Sequence, residues 1–393
     1  MSPRVRLLVA LASTGLIGYV AVGSLLARAL GDTGYGQLAI FNEVVRLVLD
    51  AYVEPVNVDR AMAGARLGMT DALDGDSAYL DAEQFAEYQQ SGPEQDAEVG
   101  LTLTRRFAFL MVVATRPGSP AEQAGLRTGD IIKSIDGRHT RPVPAVIGQR
   151  LLRGAPGSTV TLGILRAGAD PLEVSVVRER ILPAAPEGRM LDGTTGYLRV
   201  SDFDADTDET LRTQIEVLKR EGATRMVLDL RGAAWGDPAY GAPVSELFME
   251  GGVVARLVGR RIDETTLEAD PARTAWRGPL VVLVSSGTAG PGEIVAAALS
   301  DGAGATLVGE HTFGRAARMQ PVPLPEGGLV LTVAKYMSPS GVSIHGDGLE
   351  PGVAVAATDP HEQELEGEET GPDRILDKAL EVLSEAAEEK AAA

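Results

Sequence analysis

A chain of 393 residues is too long for one compact core, and 44% apolar with 23% charged residues describes globular material rather than disorder. The formal net charge of −19 argues against a nucleic-acid binder, whose phosphate contacts need a basic surface. The absence of cysteine excludes disulfides, thiol catalysis and cysteine metal sites.

Arg4 and Arg6 precede an uncharged run at 7–27. As a helix rising 1.5 Å per residue, that run spans roughly 30 Å, the thickness of a bilayer core. Its length favours an uncleaved signal anchor within 1–30, with Ala27-Arg28-Ala29 as the Ala-x-Ala alternative for a cleaved signal. The leading arginines place the N-terminus inside by the positive-inside tendency. The expectation is a single-pass protein of a bacterial inner membrane with its body in the periplasm.

A helical segment is expected at 36–90. Leu38, Phe41, Val44, Val45, Val48 and Leu49 recur at helical spacing over 37–52, and Pro55 stops that helix. A second helix is expected over 59–73, then a turn through Asp74-Gly75-Asp76, then a short helix at 81–89.

From 96 to 181 the texture changes to short β-rich runs at 99–103, 110–114, 131–135, 160–165 and 172–176. Between them, Pro120 suits the first position of a short helix, Gly125 its left-handed end, and Asp136-Gly137 a hairpin. The string from Ser119 to Gly137 resembles a PDZ domain. That resemblance implies β-augmentation, in which a peptide pairs with a sheet edge and backbone N–H groups of a Gly-containing loop hold its terminal carboxylate. Val99, Gly100, Leu101, Thr102 and Leu103 occupy that loop and strand, with Leu101 and Leu103 expected to line the pocket for an apolar terminal side chain.

From 182 to 357 strands and helices alternate, which implies an α/β core. Strands are expected at 196–200, 226–230, 280–284 and 306–308. The second and third are short continuous apolar runs, as for strands buried on both faces. Helices are expected at 209–219, capped by Asp206 or Thr207, and at 292–300. An acidic linker follows at 358–372, then a C-terminal helix and tail at 373–393; from Asp359 onward there are twelve acidic and three basic residues. Asp202 to Asp208 alternates acids but lacks the glycine and closing glutamate of a calcium loop, so a helix-capping turn is the reading. No metal and no cofactor is expected.

Val284 to Leu299, Gly309 to Arg315, Gly196 to Phe203 and Val227 to Arg231 together resemble the carboxyl-terminal processing peptidases, also called tail-specific serine proteases. In that family a serine stands three residues before the glutamate corresponding to Glu293, and a lysine follows the Phe-Gly corresponding to Phe313-Gly314. The resemblance therefore assigns the nucleophile position to Gly290, the general-base position to Arg315, and one oxyanion N–H to Pro291. Glycine has no hydroxyl, arginine stays protonated, and proline has no N–H. A second oxyanion donor belongs to a Gly-Gly pair where this chain has Trp235-Gly236, and Gln320 stands near the family's lysine-orienting glutamine.

The resemblance thus implies the fold of a serine–lysine peptidase without its reacting groups. Such a protein would bind protein C-termini or extended peptides as adaptor, scaffold or regulator, alone, as a homo-oligomer or in an envelope complex. The alternative is an active endopeptidase using a substitute hydroxyl at Thr288, Ser285 or Ser286, with His311, His345 or Lys335 as base.

Overall fold

The computed structural model describes residues 34–90, 97–356 and 373–392. The anchor expected at 1–30 and the acidic linker expected at 358–372 lie outside the described residues. Among the described residues, no helix is long and apolar enough to cross a membrane. The chain divides into two units, residues 1–65 and 66–393.

In the first unit, α1 (Gly34–Ala51) leaves Leu38, Ile40, Val44, Leu47, Val48 and Leu49 exposed. Helix α2 (Val58–Asp71) begins in this unit and ends in the second.

Among the described residues, the second unit contains three sheets. Its first elements are β1 (Ala78–Leu80) and α3 (Ala82–Gln90). The expected turn after α2 thus contains a strand, because Ala78 and Leu80 are both buried and pair with a later strand. Next come β2 (Leu101–Arg106), β3 (Phe109–Thr115), α4 (Pro120–Gln123), β4 (Ile131–Ile135), β5 (Arg138–His139), α5 (Ala145–Leu151), β6 (Thr159–Leu165) and β7 (Leu172–Val177). They form a sheet in the order β2-β3-β4-β6-β7 with β5 beside β4, around a core that includes Leu110, Val112, Ile132, Leu152 and Leu162. Strand β2 starts two residues later than expected and runs on to a two-residue hairpin loop, where Phe107 and Ala108 both have positive φ.

The third group is β8 (Glu187–Met190), β9 (Thr195–Arg199), α6 (Thr207–Glu221), β10 (Arg225–Asp229), α7 (Gly241–Glu246), β11 (Val253–Gly259), β12 (Thr265–Glu268), β13 (Leu280–Val284), α8 (Pro291–Ala303), β14 (Thr306–Gly309), β15 (Ala317–Leu324), β16 (Gly327–Met337), β17 (Val353–Ala354) and α9 (Arg374–Ala392). The central sheet is ordered β17-β14-β13-β10-β9-β8, parallel throughout except for β8. Strand alternation divides its side chains between two faces. Met226, Leu228, Val282 and Val284 face a core shared with α6, α7 and α8, whereas Val227, Val281 and Leu283 face Ile375, Ala379 and Leu383 of α9. Burial on both faces is what the continuous apolar runs indicate. A second sheet, β1-β16-β11-β12 with β15 beside β16, flanks this layer.

The expected capping turn before α6 forms, but through different atoms. Asp206 sits at the N-cap with no side-chain hydrogen bond, while Asp204 Oδ1 accepts from Thr207 Oγ1 at 2.7 Å and from Asp206 N–H at 3.0 Å. Asp202 is committed elsewhere: it is buried and forms an ion pair with Arg116 of the PDZ-like sheet at 2.6 Å.

Candidate functional site

The C-terminal end of β13 leads through residues 285–290 into α8, a strand-to-helix turn of the kind that lifts a nucleophile off a sheet. The turn closes on itself. Thr288 Oγ1 accepts from Ser285 N–H at 3.0 Å and donates to Leu230 C=O at 2.8 Å. Ala289 N–H donates to Ala233 C=O at 2.9 Å, so residues 230–233 run alongside the turn.

Gly290 follows with φ 57 and ψ −115, the left-handed side of the map, where an L side chain is strained. A Cβ added there would touch nothing closer than Arg315 C=O at 3.8 Å and Pro238 Cγ at 3.9 Å, so the space for a side chain is present. Pro291 is the first residue of α8, where its missing N–H costs the helix nothing. It supplies no donor to an oxyanion.

Glu293 organises this region. It is fully buried, and Oε1 accepts from Thr312 Oγ1 and Gly314 N–H at 2.6 Å each. Its Oε2 accepts from Arg315 N–H at 2.8 Å and Gly290 N–H at 3.0 Å. Burial pushes its carboxyl above the ordinary range, while these donors favour the charged form and pull the other way. Through this one carboxyl the main chain at Gly290 is tied to the main chain at Arg315.

The Arg315 side chain leaves that tie and ends at Asp76. Its Nε donates to Asp76 Oδ2 at 2.7 Å, and Asp76 Oδ1 accepts from Thr104 Oγ1 of β2 at 3.2 Å. One residue earlier, Gly75 C=O accepts from Arg105 N–H at 3.0 Å. The segment after α2 therefore joins the PDZ-like sheet to Arg315. Asp76 drew no attention in the sequence, because nothing local marks its partner.

Trp235 is half-buried among Val113 and Ala114 of β3, Ala289, and Phe313. The Arg116 guanidinium lies 5.1 Å from its ring centroid. Phe203 N–H donates to Trp235 C=O at 2.9 Å, and a Cβ at Gly236 would run into the Phe203 carbonyl. The indole thus fills the junction between the PDZ-like sheet and the turn before Gly290.

Among the described residues, no substitute hydroxyl hydrogen-bonds a candidate base. Thr288 is 0% exposed, with both hydroxyl functions used within the turn. Ser285 Oγ accepts from Gly232 N–H and Gly287 N–H at 3.3 Å each. Ser286 is exposed and its hydroxyl donates to Glu310 at 3.0 Å. His311 is exposed, with Nδ1 2.8 Å from Thr312 C=O. Lys335 and Gln320 lie exposed on β16 and β15. His345 is 6% exposed with a buried Nδ1 that has no hydrogen-bond partner, and burial holds its imidazole below the ordinary range. Among the described residues no group of three or more His, Asp or Glu side chains could hold a metal.

At the PDZ-like groove, Val99, Leu101, Thr102 and Leu103 are all buried, and the two leucines belong to the sheet's own core. The close approach at Gly100 comes from Ser119 and Ile181 of the same chain, which a Cβ there would strike. A cavity of about 460 Å³ lies elsewhere, at the opposite end of β13 between Trp276, Gly304 and Leu383, away from Gly290.

Residues 194–355 match Peptidase family S41, and residues 111–166 match a PDZ domain. The chain is 33% identical to the carboxy-terminal-processing protease of Bartonella bacilliformis over 334 residues, covering 82% of this chain and 75% of that one. The chain belongs to the S41 family of carboxy-terminal processing proteases. This S41 homologue is also 29% identical to the carboxy-terminal processing protease CtpA of Bacillus subtilis, over 86% of this chain and 72% of that one. Its fold resembles the solved structure of a photosystem II D1 C-terminal processing protease with a TM-score of 0.68, at 26% identity, covering 81% of this chain and 92% of that chain.

Proposed function

We propose that this S41 homologue binds protein C-termini or extended peptides without cleaving them, and serves as an adaptor, scaffold or regulator in an envelope protein assembly. The observation that carries the reading is the joint state of three positions around Glu293. Gly290 offers no nucleophile, Pro291 no oxyanion donor, and Arg315 a permanently charged group paired with Asp76. Peptide engagement is proposed for the edge of β2, by strand addition. The arginines and apolar run before residue 28 support attachment to the bacterial inner membrane with the body in the periplasm.

The test uses the full chain with fluorescent decapeptides that carry a free α-carboxyl group. Saturable binding with intact peptides by mass spectrometry after prolonged incubation is the expected result. So is an absence of labelling by a fluorophosphonate. Cleavage abolished by Thr288→Ala and retained by Thr288→Ser would replace this reading with that of a working endopeptidase.

A further inference from the structure

Strand β2 lies at the end of its sheet, with β3 on one side and helix α5 on the other. Edge strands present unpaired backbone groups that an added strand can take up. Besides Arg105 N–H, which is bonded to Gly75 C=O, two more of them are already taken. Gln149 Nε2 donates to Leu101 C=O at 2.6 Å, and Gln149 Oε1 accepts from Leu103 N–H at 3.1 Å. These two groups flank Thr102 and face the same way, as the alternation of a strand requires. They are the acceptor and donor that an incoming residue would meet with its own N–H and C=O.

We infer that Gln149 is a built-in competitor for peptide at the β2 edge and determines which peptides bind there; the inference rests on the proposed peptide-binding role of this groove. A primary amide presents an N–H donor and a carbonyl acceptor side by side, so the side chain reproduces what a strand would offer. With the groove empty, neither Leu101 C=O nor Leu103 N–H is left unpaired. The helix cannot simply retreat to make room. On its other side Val146 and Ile147 pack with Ala78, Leu80, Phe85 and Val330. Gly148 sits so close to Leu110 that an added Cβ would strike the leucine side chain. Opening therefore proceeds by rotation of the Gln149 side chain.

A peptide that brings only backbone hydrogen bonds exchanges two bonds for two and gains little. Binding then depends on further contacts, above all a terminal carboxylate or a fitting last side chain. Gln149 accordingly filters out extended chains that lack them.

The experiment compares the full chain with its Gln149→Ala and Gln149→Asn variants. Asparagine keeps the amide but is one methylene too short to bridge Leu101 and Leu103, so it serves if the alanine variant folds poorly. The probes are fluorescent decapeptides ending in Ala, Val or Leu with a free α-carboxyl, and the same peptides amidated. The expected result is a Kd about tenfold lower in both variants, the amidated peptides included, as follows from removing two competing hydrogen bonds. Faster amide exchange at Leu103 in both variants should accompany it. Measurable binding to the parent chain with equal or weaker binding to both variants would overturn the inference alone. No saturable binding by any of the three proteins would overturn the peptide-binding reading and this inference with it.

Discussion

Asp76 Oδ2 accepts from Arg315 Nε at 2.7 Å across 239 residues of sequence, with the two side chains 9% and 31% exposed. A lysine placed at 315 would meet the same carboxylate. An adjacent anion favours the charged ammonium, the opposite of what a general base requires. The Gly290→Ser plus Arg315→Lys double variant is therefore expected to hydrolyse no peptide. The serine would also carry the strain of φ 57, about 1–3 kcal/mol, and Pro291 would still withhold its oxyanion donor. Mass spectrometry of peptide digests checks this, and robust turnover would show that these obstacles do not operate.

Replacing Glu293 by glutamine is expected to destabilise the chain by about 2–4 kcal/mol, because an amide NH2 would face N–H donors at a fully buried position. Urea unfolding measures the loss. A cost below 0.5 kcal/mol, taken as about the size of an ordinary surface substitution, would mean the four hydrogen bonds do not organise the turn.

His345 introduces a pH dependence whose sign follows from its environment. Burial lowers its pKa from the ordinary 6.5; Asp74 and Asp76 oppose that shift, and Lys335 and Arg315 add to it. The unfolded chain therefore takes up a proton near pH 6.5 while the folded chain does not. Stability present above pH 6.5 is lost as the pH falls from there toward the lower folded value. Between pH 7.5 and 5.5 the parent should lose more stability than His345→Gln in urea unfolding. Parallel pH profiles for the two proteins would contradict the assignment.

Trp235→Ala removes the indole wedged between β3 and Ala289. The expected cost is about 2–3 kcal/mol, less than for a fully buried tryptophan. Calorimetry should then resolve the PDZ domain from the α/β core as separate transitions. A single unshifted transition would show that the ring does little to hold the two sheets together.

The sequence revealed those features whose cause is local. Runs 226–230 and 280–284 read as buried strands because their apolar character is uninterrupted, and Ser119 to Gly137 read as a PDZ string because its turn residues fall in order. Strand β15 was illegible because Pro321 and Pro323 imitate a loop; an edge strand tolerates them. The hairpin at Phe107-Ala108 lacks the Asn or Gly that usually announces positive φ. Asp76, Arg116 and Gln149 escaped notice for another reason. Each acquires its role from a partner in a different sheet or from a helix docked against a strand edge, and no spacing along the chain encodes that meeting.

Three of the four hydrogen bonds that Glu293 accepts come from the main chain, at Gly290, Gly314 and Arg315. The carboxylate is therefore blind to side-chain identity at both positions where a peptidase would keep its reacting groups. Their chemistry can change while the loops that carried it remain assembled. At position 290 the exchange even favours folding, since glycine occupies without strain a backbone geometry that a serine would have to endure. At this turn the main chain holds the architecture whatever side chains positions 290 and 315 carry.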